Sequence, residues 1–233
     1  MSKILVIVPT YNEEGTIGEL LDRLLKLDLE LDILVVDDGD DLTGNIVNEK
    51  QRQHKNIYLI KRQSKSGRGT AVLEGLLFGL KQDYDYFVEM DADFSHPPEE
   101  LPELMKLAEP NKVVIASRYI KGSRIENWPI RRRLFSHMAN FYAKLVLGIP
   151  IHDYTTGYRV YGRTAIESLD FEKFKSAGYI VLSEIAYQLY KNGVQFAERK
   201  TVFVNRERGE SSFSLQEVKE AFAAVWRIKK EFK

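Results

Sequence analysis

Two aspartates separated by one small residue, Asp91-Ala92-Asp93, follow directly on the strand-like run from Tyr84 to Met90. Successive side chains of an extended segment alternate in direction, so Asp91 and Asp93 are expected to project the same way, with Ala92 leaving room for a ligand. Two carboxylate oxygens, completed by water and diphosphate oxygens, meet the octahedral all-oxygen preference of Mg²⁺ or Mn²⁺. This junction therefore predicts a divalent-metal site. The Ser95-His96-Pro97-Pro98 stretch behind it reads as loop, with His96 as an ordinary loop residue.

Three further junctions carry chemistry. Pro9-Thr10-Tyr11-Asn12-Glu13 sets a ring and a carboxylate after the first apolar run, and reads either as a ligand contact or as a turn with a helix cap. Val36-Asp37-Asp38-Gly39 places adjacent acids, continued by Asp40 and Asp41, whose mutual repulsion calls for a cation or a hydrogen-bonding partner. Ser66-Gly67-Arg68-Gly69-Thr70 supplies a cation, and glycines where backbone must approach a ligand. It is not a dinucleotide fingerprint, because Val72 stands where a third glycine belongs, nor does it end in the Gly-Lys-Ser/Thr of a phosphate loop. Farther on, Lys121, Arg124, Arg131, Arg132 and Arg133 face only Glu126 within thirteen residues, a basic stretch suited to an acceptor phosphate and an anionic membrane surface.

The elements that must position these groups alternate. Ile4 to Val8 is a continuous apolar run of the kind buried on both faces of a sheet, and Ile17, Leu20, Leu21, Leu24 and Leu25 recur at helical spacing. Strands at Ile33 to Val36, Ile57 to Ile60, Tyr84 to Met90 and Val113 to Ala116 are separated by helices near Thr43 to His54, Thr70 to Lys81 and Glu99 to Leu107. This order predicts an α/β fold whose sheet is mainly parallel, with helices on both faces. In such sheets ligands bind beyond the carboxyl ends of the strands, where all four junctions fall. Past Ala116 the sequence predicts a long helix from Pro129 to Leu147, an extended stretch through Tyr161, a helix from Tyr179 to Lys191, an extended run at Phe196 to Val204, and a final helix from Ser214 to Phe232. The last helix carries the apolar stripe Leu215, Val218, Phe222, Val225, Trp226, with Arg227, Lys229, Lys230 and Lys233 at its end. Packing on the core is its expected use, membrane docking its alternative.

Composition narrows the chemistry. The 233 residues suit one domain; 34 basic residues balance 34 acidic ones, which leaves no global field for a nucleic-acid partner. With no cysteine, thiol nucleophiles, disulfides and thiolate-bound metals are excluded. No apolar run approaches the ~20 residues of a membrane span, and Met1 to Val8 is too short for a secretory signal, so a cytoplasmic protein, peripheral at a membrane, is expected.

Taken together and in order, these motifs resemble the family-2 inverting glycosyltransferases of GT-A fold, and among them the dolichol-phosphate mannose synthases and related polyprenyl-phosphate glycosyltransferases. The resemblance continues through Ala116-Ser117-Arg118-Tyr119, Glu126-Asn127-Trp128-Pro129, Arg132 to Ser136, Thr156-Gly157-Tyr158-Arg159, and Arg206 with Gly209-Glu210-Ser211. It implies a single domain over 1–233, with a nucleotide-sugar half to residue 117 and an acceptor half from 118. Pro9, Tyr11, Glu13, Val36 and Asp38 would hold the nucleoside, with Arg68, Ala92, Arg118 and Arg206 also on the donor side. Asp91 and Asp93, with Ser95 at a third position, would hold Mg²⁺ or Mn²⁺. Arg118, Arg132 and Ser136 would hold the acceptor phosphate, and Arg206 would close over the donor. The implied donor is GDP-mannose, with UDP-glucose second, and the implied acceptor a polyprenyl or dolichyl phosphate; the rivals are a hydroxyl acceptor, which needs a carboxylate base, and a catalytically silent nucleotide-sugar-binding subunit. Three departures stand out: a loop after Asp-Asp-Gly one residue short, Ser212 where relatives have lysine, and no transmembrane segments, which leaves membrane contact to the surface or to a partner.

Overall fold

A computed structural model describes residues 2–205 and 215–231, the side chains of 215–221 excepted. The chain alternates β1 (Ile4–Thr10), α1 (Ile17–Leu25), β2 (Leu31–Asp37), α2 (Thr43–Gln53), β3 (Ile57–Lys61), α3 (Arg68–Leu80), β4 (Tyr86–Glu89), α4 (Leu101–Met105) and β5 (Lys112–Ser117). Then come β6 (Arg124–Glu126), α5 (Ile130–Leu147), β7 (Arg159–Gly162), α6 (Arg163–Glu167), α7 (Val181–Lys191), β8 (Gln195–Lys200), β9 (Val202–Val204) and α8 (Leu215–Glu231). Seven strands form one sheet in the order β3-β2-β1-β4-β7-β5-β8, and β6 pairs with β9 apart from it.

The sheet is parallel except for β7, which runs antiparallel between β4 and β5. The periodicity marked an extended stretch there but carried no information about its direction. All seven residues of β1 are buried, as a run apolar on both faces requires. One face packs on α1, α2 and α4 through Ile17, Leu20, Leu24, Val47 and Leu101. The other packs on α3 and α5 to α8, through residues such as Val72, Leu76, Val146, Ile185 and Ile228. Gly75 and Gly79 let α3 lie close against the sheet, since a Cβ at either would collide with Ile7 or Phe87. The predicted extended run at Phe196 to Val204 is two strands, β8 in the main sheet and β9 in the small one.

Candidate active site

The carboxyl ends of β2, β1, β4 and β5 lie along one edge of the sheet, and each predicted junction opens there. At β4 the backbone leaves the extended conformation after Glu89 and bends through 92–96, with Phe94 at φ 59°. Strand alternation therefore does not orient Asp91 and Asp93; the bend does. Asp91 is gripped by Arg68, whose Nε donates to Oδ1 at 2.6 Å, while Nη1 donates at 2.6 Å to the fully buried Glu89. Burial opposes the charge on Asp91, but Arg68 outweighs it and holds the carboxyl below its ordinary range. Asp93 Oδ1 accepts from the Ser95 backbone N–H at 3.0 Å. Among the described residues no group of three or more His, Cys, Asp or Glu could hold a metal ion by itself. Two carboxylates with a neighbouring hydroxyl are a donor set that would fit a hard cation whose remaining ligands came from a diphosphate and water.

The glycines around Arg68 serve a different neighbour from the one expected. Gly67, at φ 97°, abuts the Ala177 carbonyl, and a Cβ on Gly69 would collide with Val181. The protein's own 177–181 segment, rather than a ligand, is what the backbone approaches. Gly157 completes the arrangement: a Cβ there would strike the Arg68 guanidinium. Arg159, wholly buried, donates to the carbonyls of Thr156, Leu182 and Tyr154 at 2.9–3.0 Å and holds this turn against the sheet. That accounts for the Thr156-Gly157-Tyr158-Arg159 motif.

The paired acids of β2 are satisfied internally. Asp37 accepts from Thr10 Oγ1 at 2.9 Å and from Lys61 Nζ at 2.7 Å. Asp38 takes a bidentate bond from Arg62, with Nη2 to Oδ2 at 2.6 Å, and its Oδ2 also accepts from the backbone of Ser66 and Gly67. Asp41, unassigned from sequence, accepts from the backbone N–H groups of Thr43, the first residue of α2, and of Glu14. The sequence reading did not find Lys61 and Arg62, because it is the parallel register of β2 with β3 that sets Asp37 beside Lys61. Pro9 and Val36 are register partners, while Tyr11 is exposed with Lys65 Nζ 3.7 Å over its ring. The Glu13 backbone N–H donates to Thr43 Oγ1 at 2.9 Å.

On the β5 side, Arg118 is buried in a bidentate pair with Asp153, both bonds 2.7 Å, and also donates to Thr155 Oγ1 at 2.6 Å. Burial disfavours both charges, yet each partner overrides it in the other, keeping Asp153 ionised below its usual range and raising Arg118. Asp153 was missed because it is 35 residues from Arg118 and arrives on the loop before β7. Trp128 joins the expected acceptor residues: the Arg118 and Arg132 guanidiniums lie 5.5 and 4.5 Å from its ring centre. Arg132 also donates to Asn205 Oδ1 at 3.0 Å, and the Tyr119 hydroxyl donates to Ser136 Oγ at 2.5 Å. The small β6–β9 sheet braces this side against the 91–96 loop, where Val204 N–H donates to the Ser95 carbonyl. His96 is not a loop bystander: it is buried against Tyr158 and Phe203, and burial, against the pull of Asp91, pushes it down to about 4. Arg206, Gly209, Glu210, Ser211 and Ser212 lie outside the described residues.

This arrangement of strand-end acids facing a guanidinium cluster can be set beside known proteins. The sequence profile described as Glycosyl transferase family 2 matches residues 5–170. The chain belongs to this family. This family-2 glycosyltransferase is 38% identical to the polyprenol monophosphomannose synthase of Mycolicibacterium smegmatis, over 97% of the chain and 88% of that relative. It is 36% identical to the undecaprenyl-phosphate mannosyltransferase of Micrococcus luteus, over 97% and 93% respectively. The dolichol-phosphate mannosyltransferase of Pyrococcus furiosus is 31% identical, over 98% of the chain but 64% of that longer relative. In fold, the transferase matches the glucosyl-3-phosphoglycerate synthase of Mycobacterium tuberculosis, solved with Mn²⁺, UDP-glucose and phosphoglyceric acid, at a TM-score of 0.69 and 18% identity over 98% of this chain and 80% of that one.

Proposed function

We propose that this glycosyltransferase moves a hexose, mannose from GDP-mannose foremost, onto the phosphate of a polyprenyl lipid with inversion at the sugar carbon, assisted by Mg²⁺ or Mn²⁺. The observation that carries the acceptor assignment is the Arg118–Asp153 pair. A hydroxyl acceptor needs a carboxylate free to take its proton. Asp153, on the acceptor side, is locked to Arg118, to Thr155 and to the backbone of Thr156. A phosphate monoester, with a second pKa near ~6, arrives already ionised and needs only placement and charge compensation. Arg118 and Arg132, planar and permanently charged, suit that task, with Ser136 beside them.

On the donor side Asp91, Asp93 and Ser95 would hold the metal, which when bound stabilises charge building on the departing diphosphate. Pro9, Tyr11, Glu13, Val36 and Asp38 would seat the nucleoside. For Asp38 the carboxylate is already spent on Arg62, so its contribution is to shape the 62–67 loop. Arg206 would add positive charge over the diphosphate.

Peripheral membrane contact is supported by α5. Ile130, Leu134, Met138, Phe141 and Leu145 form one stripe, each between 59 and 83% exposed, on the helix that carries Arg132 and Ser136. Among the described residues no helix is long and apolar enough to cross a membrane. A stripe of this kind bordered by exposed Arg131 and Arg133 suits a helix lying in an anionic interface. The deciding assay offers a donor panel with and without a polyprenyl phosphate and identifies the lipid product by mass. Efficient transfer to the free polyprenol, or retention of the donor's anomeric configuration, refutes the reading.

A further inference from the structure

Among the described residues, five buried side-chain atoms have no hydrogen-bond partner: Arg68 Nη2, His96 Nδ1, Trp128 Nε1, Arg227 Nε and Glu231 Oε2. Three are close to an opposite charge. Arg68 Nη2 is 2.6 Å from Asp91 Oδ1, and Arg227 Nε is 3.8 Å from Glu231 Oε2. The other two, His96 and Trp128, sit on either side of Phe203, each 5.2 Å from its ring centre. An indole nitrogen can only donate, and a buried donor without an acceptor is costly enough that native structures seldom leave one.

The surroundings of the Trp128 N–H identify the acceptor it lacks. Arg132 lies over the ring, Arg118 lies 5.5 Å from its centre, and Arg118 is itself packed on Phe203 at 5.1 Å. Two guanidiniums beside one unpaired donor describe a niche for an anion with several oxygens. The ring is packed edge-on against Phe203 and stands two residues before α5, next to its N-cap Pro129, so the N–H is placed before any ligand arrives. We propose that the Trp128 indole N–H is a third donor to the acceptor phosphate, binding an oxygen of a lipid phosphate monoester beside Arg118 and Arg132. This deepens the proposed acceptor assignment and rests on it. A neutral donor suits the place: it fixes the orientation of the phosphate without adding a charge that would blunt the attacking oxygen. Its stack on Arg132 also holds that side chain at the site.

The test uses the intact protein, uniformly labelled with ¹⁵N so that both indole and backbone amide resonances are read. The chain has two tryptophans, so Trp226→Phe assigns the Trp128 resonance. The probes are geranyl phosphate, geraniol, and GDP with Mg²⁺. Geranyl phosphate is expected to move the Trp128 indole proton downfield, and neither geraniol nor GDP with Mg²⁺ to do so. Trp128→Phe keeps a ring on Arg132 but loses the N–H, and should raise the KM for geranyl phosphate by about tenfold, with donor KM and kcat within about twofold. If the amides of Tyr119 and Ser136 respond to geranyl phosphate while the indole does not, this inference fails and the acceptor assignment stands. If neither responds, both fail. A shift produced by GDP with Mg²⁺ alone would reassign Trp128 to the donor and overturn the proposal, as would an unchanged KM in Trp128→Phe.

Discussion

Replacing Asp153 by alanine should unfold this enzyme far more readily than the loss of one side chain suggests. The carboxylate is fully buried and engages the largely buried Arg118 through two bonds of 2.7 Å, and it also accepts from the backbone N–H groups of Arg118, Thr155 and Thr156. Removing one member of a buried pair leaves the other charge uncompensated, at a cost of about 3–5 kcal/mol. For a chain of this size each kcal/mol moves Tm by roughly 2–4 °C, so the expected fall is about 6–20 °C. Differential scanning calorimetry of wild type, Asp153→Ala, Arg118→Met and the double variant measures it. The double variant should be more stable than the summed single losses predict, by about 1–3 kcal/mol, because neither stranded charge survives in it. Acidity supplies a second check. The folded carboxyl lies below its ordinary range, so its contribution is present above the unfolded pKa of about 4 and is lost as pH falls through the lower folded value. Wild type and Asp153→Asn should therefore differ most near neutrality and converge on acidification. A Tm loss under ~2 °C for Asp153→Ala, or strict additivity in the cycle, would refute the role of the pair in holding the 153–156 loop.

Asp93→Ala should abolish turnover with Tm nearly unchanged, whereas Asp91→Ala should abolish turnover and also lower Tm, because it strands the Arg68 guanidinium; chelator should silence the wild type until Mg²⁺ or Mn²⁺ is restored, and near-normal rate in either variant, or metal-free activity, contradicts the metal assignment. Gly157→Ala should push Arg68 from Asp91 and Glu89 and destabilise the protein by about 1–3 kcal/mol, read as a lowered denaturation midpoint, since an overpacked site must shift its neighbours. Leu134→Glu with Phe141→Glu should weaken sedimentation with anionic vesicles by about tenfold or more while leaving transfer to geranyl phosphate within twofold; equal vesicle binding would remove α5 from the membrane contact.

The strand-end acids were legible because a buried apolar run ending in Asp-x-Asp has few structural explanations. Their orientation was not, since it depends on the bend at Phe94 and on Arg68, 23 residues earlier. Asp37 and Asp38 announced the need for a cation, but only the parallel register with β3 shows that Lys61 and Arg62 supply it. Asp153 carried no local signal at all. The apolar stripe of the last helix reads first as core packing, and Val225 and Ile228 of α8 are core while Arg227 reaches the buried Glu184; the sequence reading did not find the exposed apolar stripe of α5. On α5, Ala143, Val146 and Leu147 are buried while Ile130, Leu134, Met138, Phe141 and Leu145 are exposed. A helix apolar on two sides blurs the one-sided periodicity by which an exposed stripe is recognised.

The placement of β7 also governs the order in which this enzyme can come into being. β5 is hydrogen-bonded only to β7 and β8 within the main sheet, so a nascent chain that has emerged through residue 158 holds β1 to β4 with an open edge at β4 and no partner for β5. Such an edge is a template for pairing with another chain. Arg159–Gly162 closes that edge by pairing with both β4 and β5, and the last parallel pairing must wait for Gln195–Lys200. A ribosome pausing between these points would expose the edge for longest, and chaperone dependence should concentrate in chains arrested there rather than in those arrested earlier.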